Sequence, residues 1–210
     1  MAFDGITIAA MVSELNKNLS GGRINKIAQP ESDELLITGK GANGQKRLLL
    51  SASASLPLIY FTGKNRISPL TAPNFCMLLR KHIGSARITA IRQPGLERVV
   101  EFELEHLNEL GDVCHKVLIM ELMGKHSNII FCDDNNMILD SIKHVSCNVS
   151  SVREVLPGRP YFIPHTQDKL DPLTISREDF MEKVCGRSNA VSKALYQTLT
   201  GFSPVMAQEL

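Results

Sequence analysis

The connection Met123-Gly124-Lys125-His126-Ser127-Asn128 puts a glycine, a cation, an imidazole and two hydrogen-bonding side chains between two apolar runs. Such a set suits contacts to phosphate and ribose: glycine permits close backbone approach, lysine neutralises charge, and the others reach oxygen atoms. The same residues equally suit a polar strand connection in which Ser127 and Asn128 satisfy backbone groups. A second segment, Gln93-Pro94-Gly95-Leu96-Glu97-Arg98, sets a Pro-Gly turn before an acid and a base. An arginine on such an edge can grip phosphate bidentately or stack on a base, and it can also sit in a solvated ion pair. Adjacent residues of a strand face opposite ways, so Glu97 and Arg98 act together only if the turn splays them. A third segment, Phe3-Asp4-Gly5, carries an acid suited to capping the helix that follows.

Other chemistries find little support. There is no phosphate-binding loop ending in Gly-Lys-Ser/Thr and no Gly-x-Ser-x-Gly nucleophile elbow. The six histidines (His82, His106, His115, His126, His144 and His165) are scattered without metal-ligand spacing. Five cysteines form no CxxC pair, and an odd, dispersed set argues against a disulfide framework or a zinc ribbon. With no apolar run of bilayer length and an acid at position 4 where a signal peptide would be basic, the expectation is a cytosolic protein.

The elements that must position these segments follow from periodicity. Ile8, Met11, Val12, Leu15 and Leu19 recur at helical spacing between Asp4 and the terminating pair Gly21-Gly22. Strands are expected over 23–29, 34–38, 47–52 and 58–62, the second and third flanking a loop at 39–44. Pro73 opens a helix over 74–83 with Arg80, Lys81 and His82 at its C-terminal end, where cations suit the helix dipole. Further strands are expected over 86–92, 97–105, 113–122, 128–132 and 137–142, forming an antiparallel sheet. The Pro-rich stretch 157–172 reads as a linker wrapping over the surface. Beyond it the period becomes helical over 179–185 and 190–199, and Ser203-Pro204 starts a third helix only a short way before Leu210, as in a piece of a longer protein.

Of the 210 residues 43% are apolar and 5% aromatic, so the core is built mainly from Leu, Ile, Val and Met. The net charge of +1 is unevenly spread: residues 1–100 hold 13 Lys/Arg and 6 Asp/Glu, residues 101–210 hold 10 and 16. Such a chain can present one basic face to phosphates, or its halves can interleave and cancel.

Taken in order, Phe-Asp-Gly at 3–5, Gly-Gly-Arg-Ile-x-Lys-Ile at 21–27, Phe-Cys-Met-Leu-Leu-Arg-Lys-His at 75–82, Gly-Leu-Glu-Arg at 95–98, Glu-Leu-Met-Gly-Lys-His-Ser-Asn-Ile-Ile at 121–130 and Asp-Ser-Ile-Lys-His-Val at 140–145 say more. Together they resemble the N-terminal domain of the NFACT family, the RqcH-type ribosome quality control factors long labelled fibronectin-binding proteins. The resemblance implies an α+β fold: a mainly antiparallel sheet or β-sandwich with two packed helices, similar to the N-terminal domain of formamidopyrimidine-type DNA glycosylases. It implies an NFACT N-terminal domain over 1–172 and the beginning of a helix-hairpin-helix module over 173–210. Those glycosylases use an N-terminal Pro followed by Glu; this chain begins Met1-Ala2-Phe3, so glycosylase chemistry is not expected.

The implied partners are tRNA, alanyl-tRNA in bacteria, and large ribosomal subunits obstructed by peptidyl-tRNA. The implied role is template-free C-terminal tailing of stalled nascent chains, with the ribosome supplying peptidyl transfer and the protein needing no cofactor, metal, membrane or small-molecule substrate. The family's Asp-Arg pair falls on Glu97 and Arg98, the acid here being one methylene longer. Its N-terminal Asp falls on Asp4, and its His-Ser-Asn motif on His126, Ser127 and Asn128, preceded by Lys125. With Glu121 of the same run, these form the implied tRNA-binding set. A matrix-binding adhesin and a non-catalytic, glycosylase-like nucleic-acid binder are the competing readings.

Overall fold

The computed structural model describes residues 3–164 and 168–210. Met1, Ala2, His165 and the middle of the expected 157–172 linker lie outside the described residues.

Nine strands form one antiparallel sheet: β1 (Arg23–Ala28), β2 (Glu34–Gly41), β3 (Gly44–Ser51), β4 (Leu58–Phe61), β5 (Arg87–Arg92), β6 (Val99–Leu107), β7 (Val113–Glu121), β8 (Asn128–Asp133) and β9 (Ile138–Ser141), in the order β4-β3-β2-β1-β5-β6-β7-β8-β9. Apolar residues alternate onto one face, and that face folds round two helices, α1 (Gly5–Leu19) and α2 (Asn74–Ile83). Leu48 and Leu50 of β3, Phe102 of β6 and Phe131 of β8 join Ile8 and Leu15 of α1 and Phe75 and Leu79 of α2 in one core. The fold is thus α+β, with a mainly antiparallel sheet and packed helices.

Several expected boundaries move. The 39–44 loop is mostly strand: β2 and β3 pair out to Gly41↔Gly44, leaving a tight hairpin with Gly44 at φ 86°. Gly39-Lys40-Gly41-Ala42-Asn43-Gly44 has the spacing of a dinucleotide fingerprint, but a strand follows it rather than a helix, so no helix N-terminus is available for phosphate. The strand expected from 97 begins at Val99, which leaves Glu97 and Arg98 in the turn. The covering segment begins before Pro157: Val145, Val155, Tyr161 and Ile163 pack on Val99, Ile119 and Ile130 on the outer face of β6–β8.

The C-terminal residues form α3 (Arg177–Phe180), which continues into a π-helical turn (Met181–Cys185), then α4 (Val191–Thr198) and α5 (Pro204–Glu209). Ser176 and Ser203 cap the first and last of these as their types predict, accepting from the backbone N–H of Asp179 and Met206. The helices have an apolar cluster of their own around Val184, Ala194 and Leu199.

Candidate functional site

Asp4, the turn 93–98, the β7–β8 connection and residues 200–204 meet although they are far apart in sequence, and two glycines explain how. A Cβ on Gly5 would stand 2.0 Å from the Leu96 carbonyl oxygen and 2.6 Å from Gly201 Cα. Three backbones therefore touch where α1 starts, and any side chain there would force them apart. The Gln93 amide adds a clasp, donating to the carbonyls of Gly5 and Glu97, both at 2.8 Å. Asn16 of α1 completes it, donating to the Ile91 carbonyl at 2.6 Å and accepting from its N–H at 3.1 Å.

Asp4 is the joint of this arrangement. One carboxylate oxygen accepts from the Thr7 N–H at 2.8 Å and the Thr7 hydroxyl at 2.7 Å; the other accepts from the Ser203 hydroxyl at 2.6 Å. Partial burial pushes its pKa up, but the hydrogen bonds from Ser203 and Thr7 outweigh it and hold the carboxyl below its ordinary value. Both oxygens are occupied, and the helix-capping role inferred from the sequence is the one observed.

Beside this joint opens a cleft of about 790 Å³. All eight residues of the set Asp4, Glu97, Arg98, Glu121, Lys125, His126, Ser127 and Asn128 line it. They do not play one part. Arg98, Lys125 and His126 are exposed and Glu97 is half-buried, whereas Glu121, Ser127 and Asn128 are buried. Among the described residues Glu97 and Arg98 form no ion pair with each other, so the solvated pair admitted by the sequence is absent.

The three buried members are each committed to hydrogen bonds within the protein. The Ser127 hydroxyl accepts from the Met123 N–H at 2.8 Å, closing the turn Gly124–His126 that thrusts Lys125 and His126 outward. The Asn128 side chain donates to the Lys143 carbonyl at 2.8 Å and accepts from the Lys143 N–H at 3.1 Å, in the manner of a strand partner. The strand-connection reading of Ser127 and Asn128 is therefore the one the geometry favours.

Glu121 is fully buried. Its oxygens accept from Arg153 at 2.6 and 2.5 Å, and Tyr161 donates its hydroxyl at 3.0 Å. An unpaired carboxylate there would be very costly, and the Arg153 guanidinium offsets that cost. Burial opposes the charge on Arg153, but the Glu121 carboxylate wins and holds its pKa above the ordinary arginine value. Burial, with Glu121 beside it, drives the Tyr161 pKa upward, so this hydroxyl stays a donor. Arg153 also sits over the Tyr161 ring, 5.5 Å from its centroid.

Several lining residues were given no part in the site by the sequence: Arg153 and Lys169, Ser203, which was read only as a helix cap, and Lys143 and His144, which stand inside the quoted 140–145 motif without an assigned role. Lys143 bridges the sheet ends, its ammonium donating to the carbonyls of Ala52 and Ser127. The Lys169 ammonium donates to the Tyr196 carbonyl at 2.7 Å; burial, then the nearby Arg98 charge, lower its pKa. The apolar lining includes Phe3, Leu96, Met123, Val152 and Phe202. Cations on the rim above such a lining suit a ligand carrying both phosphate and base. Among the described residues no group of three or more His, Cys, Asp or Glu could hold a metal ion, and no helix is long and apolar enough to cross a membrane.

Comparison with known proteins decides the family. A model of the NFACT N-terminal and middle domains matches residues 4–210. The chain belongs to the NFACT family. It is 41% identical over 212 residues to the Rqc2 homolog RqcH of Bacillus subtilis, covering 100% of this chain and 37% of that protein. It is 26% identical over 175 residues to the human ribosome quality control complex subunit NEMF, covering 83% of this chain and 15% of that protein. The crystal structure of the N-terminal domain of fibronectin-binding protein PavA from Streptococcus pneumoniae superposes with a TM-score of 0.91 at 36% identity, over 99% of this chain and 78% of that one. The NFACT chain described here thus spans well under half the length of the first of these relatives.

Proposed function

We propose that this chain is the tRNA- and large-subunit-binding module of a ribosome-associated quality control factor. In this reading it recruits tRNA, alanyl-tRNA in bacteria, to large subunits obstructed by peptidyl-tRNA, and the ribosome supplies the peptidyl-transfer chemistry for template-free tailing. The chain acts in the cytoplasm and is not itself an enzyme; residues from 173 onward begin a helix-hairpin-helix module. The observation that carries the reading is the cleft. Two segments distant in sequence, the turn 93–98 and the β7–β8 connection, deliver Arg98 and then Lys125 and His126 to its rim, and buried polar groups hold that rim in place.

Arg98 contacts phosphate or a base, Glu97 orients it or accepts from a base edge, and Asp4, Glu121, Ser127 and Asn128 hold the walls. The half-buried Glu97 in place of the family's aspartate keeps the charge and changes the reach, which tunes the choice of tRNA.

The test is tRNA binding at several salt concentrations. Arg98→Ala is expected to weaken binding and to reduce the slope of log K against log salt by about 1, as for one phosphate contact. Binding that is insensitive to salt, or unchanged by the substitution, sinks the assignment. The name of the pneumococcal relative favours a second reading, a matrix-binding adhesin. Cell fractionation separates the two: a purely cytosolic pool removes adhesion as the primary role.

A further inference from the structure

The outer face of β1–β3 carries cations on adjacent rungs. Register places Arg23 opposite Lys40, and puts Thr38 between Lys26 on one side and Arg47 on the other. A bulge at Asn25 brings Lys26 onto this face, for Ile24 and Ile27 on either side both point into the core. Like charges directly opposite each other cost a sheet stability. Among the described residues none of Arg23, Lys26, Lys40 and Arg47 has an acidic partner.

Between Lys26 and Arg47 the face sinks into a groove of about 320 Å³. Arg66 also lines it, paired with Glu34 at 3.5 Å. Its remaining lining is mostly neutral hydrogen-bonding side chains, Asn25, Thr38, Gln45, Asn65 and Ser68. Among the described residues no aromatic ring lines it, so these offer nothing for a base to stack on. Cations interleaved with hydroxyls and amides match a phosphodiester backbone and its ribose hydroxyls.

We propose that this face is a second RNA surface, which grips the backbone of an RNA helix without reading its sequence. It lies apart from the cleft: Arg87, in register with Arg23, opens β5, whereas the turn that carries Arg98 follows the end of that strand, roughly 20 Å away at about 3.3 Å per residue. The proposal goes beyond the cleft reading and does not depend on it.

The experiment measures binding of the full chain to a blunt RNA duplex of about 16 base pairs, which has no loop or single-stranded overhang to enter the cleft. The exposed-face variant R23Q/K26Q/K40Q/R47Q is expected to bind on the order of tenfold or more weaker at low salt, with a salt slope shallower by about 3. Arg98→Ala is expected to leave duplex binding unchanged, and R23K/R47K, which keeps the charge, to bind like the parent. Duplex binding equal in the parent and the neutralised variant overturns the proposal, as does loss of duplex binding in Arg98→Ala alone. Two exposed apolar side chains, Ile67 and Leu70, stand on the segment bordering the groove. If I67S/L70S abolishes duplex binding while the neutralised variant does not, the cations do not hold the duplex and the backbone-gripping assignment is wrong.

Discussion

Replacing Arg153 by methionine should strand a carboxylate in the wall of the cleft. The Glu121 side chain is 0% exposed and that of Arg153 10%, and Tyr161 is the one other hydrogen-bond donor recorded on Glu121 among the described residues. Water therefore cannot replace the guanidinium without opening the covering segment 145–163. Removing one partner of a buried pair costs about 3–5 kcal/mol, whereas replacing both by apolar groups of similar volume is close to neutral. For a protein of this size the single substitution is expected to lower Tm by roughly 10 °C. Urea unfolding followed by circular dichroism gives the free energies for R153M, for E121L and for E121L/R153M. The double variant should lie within about 2 kcal/mol of the parent and be more stable than either single variant. A loss of less than about 1 kcal/mol in R153M would mean that solvent screens the pair, and the argument for a buried clamp would fail. So would a double variant whose loss is the plain sum of the two.

Asp4→Ala removes both the cap of α1 and the tie to Ser203, and is expected to cost about 1–2 kcal/mol in denaturant titration. The pH dependence has a definite sign. The folded carboxyl titrates below 3.8, so its stabilisation is fully present above pH 3.8 and is lost as pH falls through the lower folded value. Asp4→Asn should accordingly show a shallower acid limb than the parent in thermal melts; identical limbs would remove Asp4 from the acid response. Gly5→Ala drives a Cβ into the Leu96 carbonyl and Gly201, and is expected to cost about 2–3 kcal/mol, measured as a drop in Tm together with weaker tRNA binding. In the native protein Cys147 and Cys185 should react with a thiol reagent at once; Cys76 and Cys132 should react only on unfolding, Cys132 being buried with its thiol pushed up to about 12.

Much of this architecture is legible because local rules and tertiary packing agree. α1 shows its apolar stripe and its cap in sequence, and α2 its opening proline and closing cations. β6 shows two-residue alternation, whereas β2, β3, β7 and β8 carry continuous apolar runs because both of their faces are covered. What misleads is a group whose neighbours come from far along the chain. Glu121 reads as a charged residue beside a functional loop, and only Arg153, 32 residues on, shows that it is buried. The Ser203 hydroxyl that fixes Asp4 is 199 residues away. The covering segment 145–163 has no regular period, so its apolar anchors Val155 and Tyr161 cannot be told from loop residues before the β6–β8 face they cover is known.

The same distinction explains why six consecutive residues, 123–128, support two readings at once. In Met123–Asn128 the backbone needs partners in order to turn between β7 and β8, and Ser127 and Asn128 supply them from inside. Once those two side chains are committed inward, the turn Gly124–His126 closes with Gly124 at φ 59° and Lys125 and His126 outside. A glycine accepts that backbone without strain; an L side chain does not. The structural residues are thus the reason Lys125 and His126 face the cleft in a fixed direction. Substituting Ser127 or Asn128 should therefore impair ligand binding as much as stability, although neither side chain has an exposed surface with which to touch a ligand.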